Sequence, residues 1–125
     1  MARIVVIDDD PAIPRMLSAM LAECGHEVVE ARSGKYGIKA LLSAPTDLVI
    51  TDILMPEQDG LAVIREVRRV SPLVKVIGMS GGGRTLSSAL SLNVAEKVGA
   101  DATLPKPFSM EELFQTVDRV LNGRS

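Results

Sequence analysis

Tryptophan is absent from this chain of 125 residues, tyrosine occurs once and phenylalanine twice. Any core must therefore be filled by Val, Ile, Leu, Met and Ala. Cysteine also occurs once, as Cys24, which excludes an internal disulfide and argues against a thiolate metal site. Cys24 is expected to be a small, semi-buried apolar residue near a helix end. Long hydrophobic runs are missing too. The longest near the N-terminus is Ile4 to Ile7, far below the roughly 7–15 residues of a signal-peptide core or the ~18 of a membrane span. No membrane association is expected, and the location should be cytoplasmic. Positive charge is not in excess either: the net charge is −2. No cluster of Lys or Arg is dense enough to track a phosphate backbone, so direct nucleic-acid binding by this domain is not expected. At about 100–200 residues per domain, 1–125 reads as one domain.

What the sequence does contain is alternation. Short apolar runs occur at Ile4-Val5-Val6-Ile7, Val28-Val29, Leu48-Val49-Ile50, Val74 to Ile77 and Ala102-Thr103-Leu104. Consecutive apolar positions predict strands buried on both faces, as in a parallel sheet covered by helices. Between them lie segments of helical period. Ile13, Met16, Leu17, Met20 and Leu21 make one stripe; Ile38, Leu41 and Leu42 a shorter one; Leu61, Ile64 and Val67 a third. A fourth helix is expected from near Thr85 to Val98. The fifth begins with the capping-box sequence Ser109-Met110-Glu111-Glu112, continues through Leu113, Val117, Val120 and Leu121, and stops at Gly123. Five strand–helix units in alternation predict an open, doubly wound α/β sheet. Right-handed crossovers then place every strand's carboxyl end on one edge, where ligands of such sheets bind.

That edge collects the chemistry. Strand one runs into Asp8-Asp9-Asp10, strand three ends at Asp52, strand four at Ser80, and strand five runs into Lys106. Asp10 before Pro11 is best read as a helix N-cap. Taken singly, the others could be turn, cap or surface residues; together they give three carboxylates, a hydroxyl and an ammonium in one crevice. Three carboxylates repel unless a cation offsets them, and a site of oxygen ligands suits Mg²⁺. A carboxylate placed there can act as a nucleophile toward a phosphoryl group, giving an acyl phosphate.

On the motifs Val6-Ile7-Asp8-Asp9-Asp10, Asp52-Ile53-Leu54-Met55-Pro56-Glu57-Gln58-Asp59-Gly60 and Leu104-Pro105-Lys106-Pro107-Phe108, the chain resembles bacterial response-regulator receiver domains from about Arg3 to Leu121. The resemblance implies a flavodoxin-like fold: a five-stranded parallel sheet of order 2-1-3-4-5 flanked by five helices. It implies Asp52 as phosphoacceptor, with Asp9, Asp52 and the Leu54 carbonyl as direct Mg²⁺ ligands and Asp8 acting mainly through water. Lys106, before a cis bond to Pro107, would contact the phosphoryl oxygens, and Ser80 would reorient toward them. Asp59-Gly60 would form the turn into helix three. A sensor histidine kinase or phosphotransfer protein would supply the phosphoryl group, and a downstream effector or output domain would read it. The domain would be a signalling protein rather than an enzyme, catalysing only its own phosphorylation and dephosphorylation. The resemblance also allows a homodimer through helices four and five, although no residue singles it out.

Three departures stand out. Thr103 occupies the switch position where the family usually has Tyr or Phe. Gly81-Gly82-Gly83 follows Ser80, predicting a loop that becomes ordered on phosphorylation. Leu54 and Gly82, two beyond the acceptor and the hydroxyl, offer no polar side chain to orient water, predicting slow autodephosphorylation. Two rival readings remain at this stage. One is a receiver-like interaction module that needs no phosphorylation. The other is an aspartyl-nucleophile phosphatase of the haloacid dehalogenase type acting through Asp8, against which stand Ala12 and the short chain.

Overall fold

The computed structural model describes residues 1–55, 58–80 and 99–123, with the backbone alone for 54, 55 and 58–60. The apolar runs form strands and the periodic segments form helices, in the order β1 (Arg3–Ile7), α1 (Ala12–Ala22), β2 (Glu27–Ala31), α2 (Gly34–Ser43), β3 (Leu48–Asp52), β4 (Leu54–Met55), β5 (Gln58–Asp59), α3 (Gly60–Val70), β6 (Lys75–Ser80), β7 (Ala102–Pro105) and α4 (Met110–Asn122). Five strands make one parallel sheet in the order β2-β1-β3-β6-β7, which is 2-1-3-4-5 when the five are counted along the chain. Four helices lie among the described residues. The helix expected from Thr85 to Val98 and the Gly81-Gly82-Gly83 loop lie outside them.

Two apolar layers close the sheet. Ile4, Val6, Ile50, Ile77 and Met79 pack with Leu17 and Leu21 of α1 and with Leu113, Val117 and Val120 of α4. On the opposite face, Val5, Ile7, Val49 and Val76 pack with Leu41 of α2 and with Val63, Ile64 and Val67 of α3. Each fully buried Ile or Leu contributes roughly 1.5–3 kcal/mol, so aliphatic burial suffices without aromatic bulk. All five residues of β3 are buried, as expected of a central strand. The edge strand β2 departs from the expected two-sided burial: Glu27 and Glu30 are exposed and Val28 and Val29 only half-buried. An edge strand has a neighbour on one side only, and charged side chains are one way such edges stay solvated.

The helix boundaries follow local chemistry. Ser109 accepts from the Glu112 N–H at 3.0 Å while Glu112 accepts from the Ser109 N–H at 2.9 Å, the reciprocal capping box. Gly123 closes α4 at φ 69°. At α1 the cap falls one residue later than the Asp-Pro pair predicts: Pro11, with helical torsions, precedes the helix, while Asp10 Oδ1 still accepts from the Ala12 N–H at 3.0 Å. Some exposures differ from expectation. Cys24 is exposed rather than semi-buried, because α1 has already unwound into the turn that ends in Gly25 at φ 85°. Leu42 is also exposed, so the α2 stripe reduces to Leu41 with partly buried Ile38.

Three further features carry no sequence signature. The segment α2 crosses β1 so closely that a Cβ on Gly37 would stand 2.2 Å from Ile7 Cδ1. Arg68 of α3 donates to the carbonyls of Gly99, Pro72 and Val74 and pairs with Asp101 at 2.5 Å, tying α3 to the start of β7. His26 Nδ1 accepts from the Ala2 N–H at 3.1 Å, pinning the N-terminus beside β2.

Burial, and then the positive amino terminus, hold His26 below its ordinary value, against an opposing pull from Asp47. The folded chain therefore binds fewer protons at His26 than the unfolded chain. Its contribution is fully present above the ordinary histidine value of about 6.5 and is lost as pH falls through the lowered folded value. Urea midpoints measured at pH 7.5 and pH 5.5 should fall more for the wild type than for His26→Gln. Equal falls would remove His26 as the source.

Candidate functional site

Parallel strands of matched register bring the expected residues to one sheet edge. In β1, β3 and β6, Val6 stands opposite Ile50 and Ile50 opposite Ile77, so Asp8, Asp52 and Ser80 all follow the same ladder outward. The pairing continues past the strand ends: the Asp8 N–H bonds the Ala31 carbonyl at 3.1 Å, and the Ile53 N–H bonds that of Met79 at 2.8 Å. Ser80 stands opposite Pro105, and its carbonyl accepts from the Lys106 N–H at 2.6 Å. The Lys106–Pro107 peptide bond is cis.

Carboxylate oxygens of Asp8, Asp9 and Asp52 lie within 4.8 Å of one another. Asp8 and Asp52 are 1% and 3% exposed, while Asp9 is open to solvent. Lys106 Nζ lies 2.8 Å from Asp8 Oδ2 and 3.7 Å from Asp52 Oδ2, so a single ammonium serves two buried carboxylates. The other oxygen of Asp8 accepts from the Asp10 N–H at 3.0 Å, which engages both Asp8 oxygens. Ser80 is fully buried, and its Oγ has no hydrogen-bond partner among the described residues. A buried hydroxyl left unpaired costs free energy, and a ligand oxygen would relieve it.

Beyond Asp52 the chain reverses in a two-residue antiparallel pair, with Leu54 opposite Asp59 and Met55 opposite Gln58. Two-residue strands are too short for a period to show in the sequence. Gly60 opens α3 directly after this pair, matching the turn expected at Asp59-Gly60. Leu54, two residues past Asp52, starts β4. Thr103, half-buried, lies in β7 opposite Gly78. The oxygen-only donor set of Asp8, Asp9 and Asp52 fits a hard divalent cation, and two of its three members are too deeply placed to be solvated surface acids.

Comparison with known proteins defines the class. A family model for the response regulator receiver domain matches residues 4–118. This chain belongs to that family, a module of two-component signal transduction. It is 36% identical over 124 residues to the DNA-binding transcriptional regulator NtrC of Azospirillum brasilense, covering 99% of this chain and 25% of that protein. It is 33% identical over 120 residues to the transcriptional regulatory protein GlrR of Escherichia coli strain K12, covering 96% of this chain and 26% of that one. The chain thus spans about a quarter of the length of these relatives. Among solved structures, a receiver domain protein from Clostridium thermocellum superposes with TM-score 0.87 at 30% identity, covering 99% of this chain and 97% of that one. NtrX from Brucella abortus superposes with TM-score 0.90 at 28% identity, covering 98% of this chain and 27% of that one. Among the described residues, no helix is long and apolar enough to cross a membrane.

Proposed function

We propose that this domain accepts a phosphoryl group on Asp52 from a sensor histidine kinase or a phosphotransfer protein, and that the modified domain engages a downstream effector or output domain. The observation that carries this reading is a buried Asp52 grouped with two more carboxylates and 3.7 Å from the Lys106 ammonium. A carboxylate oxygen of Asp52 attacks phosphorus, the bond to the donor breaks, and the electron pair leaves with the donor. Lys106 meets the negative oxygens of the group in transfer, and the unpaired Ser80 hydroxyl turns to donate to one of them.

Asp9, Asp52 and the Leu54 carbonyl would hold Mg²⁺ directly, with Asp8 acting through water; when bound, the ion offsets the charge of the carboxylates and the phosphoryl oxygens. By analogy with NtrC and GlrR, whose names are those of transcriptional regulators, we place the downstream partner in transcription.

The test is intact mass after incubation with acetyl phosphate, in Mg²⁺ and in EDTA, followed by peptide mapping under conditions that preserve acyl phosphates. One adduct formed only with Mg²⁺ and mapping to Asp52 is expected. An adduct mapping to Asp8 would instead support the aspartyl phosphatase reading, and no adduct would support a phosphorylation-independent interaction module.

A further inference from the structure

Among the described residues, five polar or charged side chains are buried: Asp8, Thr51, Asp52, Ser80 and Thr116. Asp8, Asp52 and Ser80 belong to the candidate site. Thr116 lies in α4 and donates to the Glu112 carbonyl one turn back at 2.8 Å, a bond that any helix offers a threonine. Thr51 has no such local reason to be polar. It is fully buried in β3, between Ile7 of β1 and Gly78 of β6. Side chains alternate along a strand, so Thr51 shares its face with Val49 and Ile53, which pack in the apolar layer beneath α2 and α3. A hydroxyl there costs free energy unless it is hydrogen-bonded, and valine has the same shape without that cost.

The hydroxyl bonds the backbone of its own neighbour. Thr51 Oγ1 donates to the Asp52 carbonyl at 3.2 Å. That carbonyl and the Ile53 N–H are the two polar ends of one peptide unit, and the Ile53 N–H bonds the Met79 carbonyl at 2.8 Å. The peptide leaving Asp52 is therefore held at both ends, by a side chain of β3 and by the backbone of β6. Its orientation sets the ψ torsion of Asp52, and so the direction in which Cβ carries the carboxylate over the sheet edge. That carboxylate stands 3.7 Å from Lys106 Nζ, with oxygens of Asp8, Asp9 and Asp52 within 4.8 Å of one another. Charges at such spacing are sensitive to small displacements, and a reacting group misplaced by about 1 Å loses roughly a hundredfold in rate.

We propose that Thr51 is a positioning residue: its hydroxyl fixes the outgoing peptide of Asp52 and thereby aims the carboxylate at the incoming phosphoryl group, a role that rests on Asp52 as the acceptor. Thr51 acts through the backbone of Asp52 and itself meets neither cation nor phosphoryl group.

The test compares Thr51→Val, which keeps the volume and removes the hydroxyl, with Thr51→Ser, which keeps the hydroxyl and loses the methyl. Intact mass reads the initial rate of phosphoryl uptake from acetyl phosphate in Mg²⁺. Without metal or donor, NMR reads hydrogen exchange at the Ile53 amide relative to that of Val49, a ratio in which any change of global stability cancels. Thr51→Val should slow uptake about tenfold and raise the exchange ratio, with Thr51→Ser close to the wild type in both. A residue that only fills space predicts the reverse order, because serine leaves a cavity and valine does not. Thr116→Val, the same change at a buried threonine outside the site, should leave both readings unchanged. Uptake by Thr51→Val at the wild-type rate, or a loss in Thr51→Ser as great as in Thr51→Val, would overturn the proposal. A wild type that takes up no phosphoryl group would instead fail the reading of Asp52 as acceptor. The exchange ratio then decides alone: a rise in Thr51→Val supports the hold on the peptide, and no rise sinks it.

Discussion

Asp52→Asn should take up no phosphoryl group from acetyl phosphate in Mg²⁺, under conditions where the wild type takes up one. The substitution keeps the shape of the side chain and one carbonyl oxygen but removes the nucleophilic carboxylate. The same change should leave the fold intact or firmer. Asp52 lies 3% exposed among carboxylate oxygens within 4.8 Å of one another, and its nearest ammonium is shared with Asp8. Deleting one of three like charges should raise metal-free stability by on the order of 1–3 kcal/mol. Thermal unfolding in EDTA and in Mg²⁺ reads both effects, since the variant should also lose much of the stabilisation by the ion. A phosphoryl adduct that survives in the variant would move the nucleophile elsewhere and undo the assignment of Asp52.

The second large effect is expected far from any titratable group. Gly37→Ala would place a methyl 2.2 Å from Ile7 Cδ1 and 2.6 Å from Ile7 Cγ1, inside a fully buried contact. Overpacking of this kind costs about 1–3 kcal/mol, which outweighs the ~1 kcal/mol that alanine gains over glycine in a helix. A larger residue such as leucine should cost more than alanine, because it adds atoms beyond a Cβ that already overlaps Ile7. The clash has a specific cure. Ile7→Ala removes both Cδ1 and Cγ1 at a cost of about 2–5 kcal/mol alone, and the double variant should be more stable than the sum of the two single effects by at least ~1 kcal/mol. Chemical denaturation of the four proteins measures this directly, and strict additivity would show that the two residues do not compete for space. Because Ile7 precedes Asp8, the single variant should also disturb the carboxylate site.

How much of this was readable beforehand depended on whether the signal was periodic. Five apolar runs separated by amphipathic segments were enough to give an open, doubly wound parallel sheet, whereas its order 2-1-3-4-5 came from the resemblance to receiver domains. Asp8, Asp9, Asp52, Ser80 and Lys106 were readable because each lies within three residues of the end of such a run, so the strand ends located them before any distance was known. The Asp10–Pro11 start of α1 and the Ser109–Glu112 box were legible for a different reason: both are satisfied within a few residues of chain.

Contacts between distant segments left no trace. Arg68 on Gly99 joins residues 31 apart, and nothing in the α3 period distinguishes that arginine from Arg65 or Arg69. The β4–β5 pair is shorter than any usable period. Cys24 and Leu42 were misplaced because composition sets a preference for burial, whereas the exit of a turn and the end of a helix decide it.

The lysine of the site comes from the last strand and its carboxylate partners from the first and third; Asp8 and Lys106 are 98 residues apart. Until β7 is seated, the Lys106 ammonium cannot stand beside Asp8. In the folded domain, stripping one partner from a buried pair costs about 3–5 kcal/mol, so removing Lys106 should destabilise the crevice that Asp8 occupies. Charge balance in the crevice is therefore a report on the whole domain. If Asp52 is the acceptor we propose, a phosphoryl donor would meet the complete site only on a chain whose first and last strands are both in place.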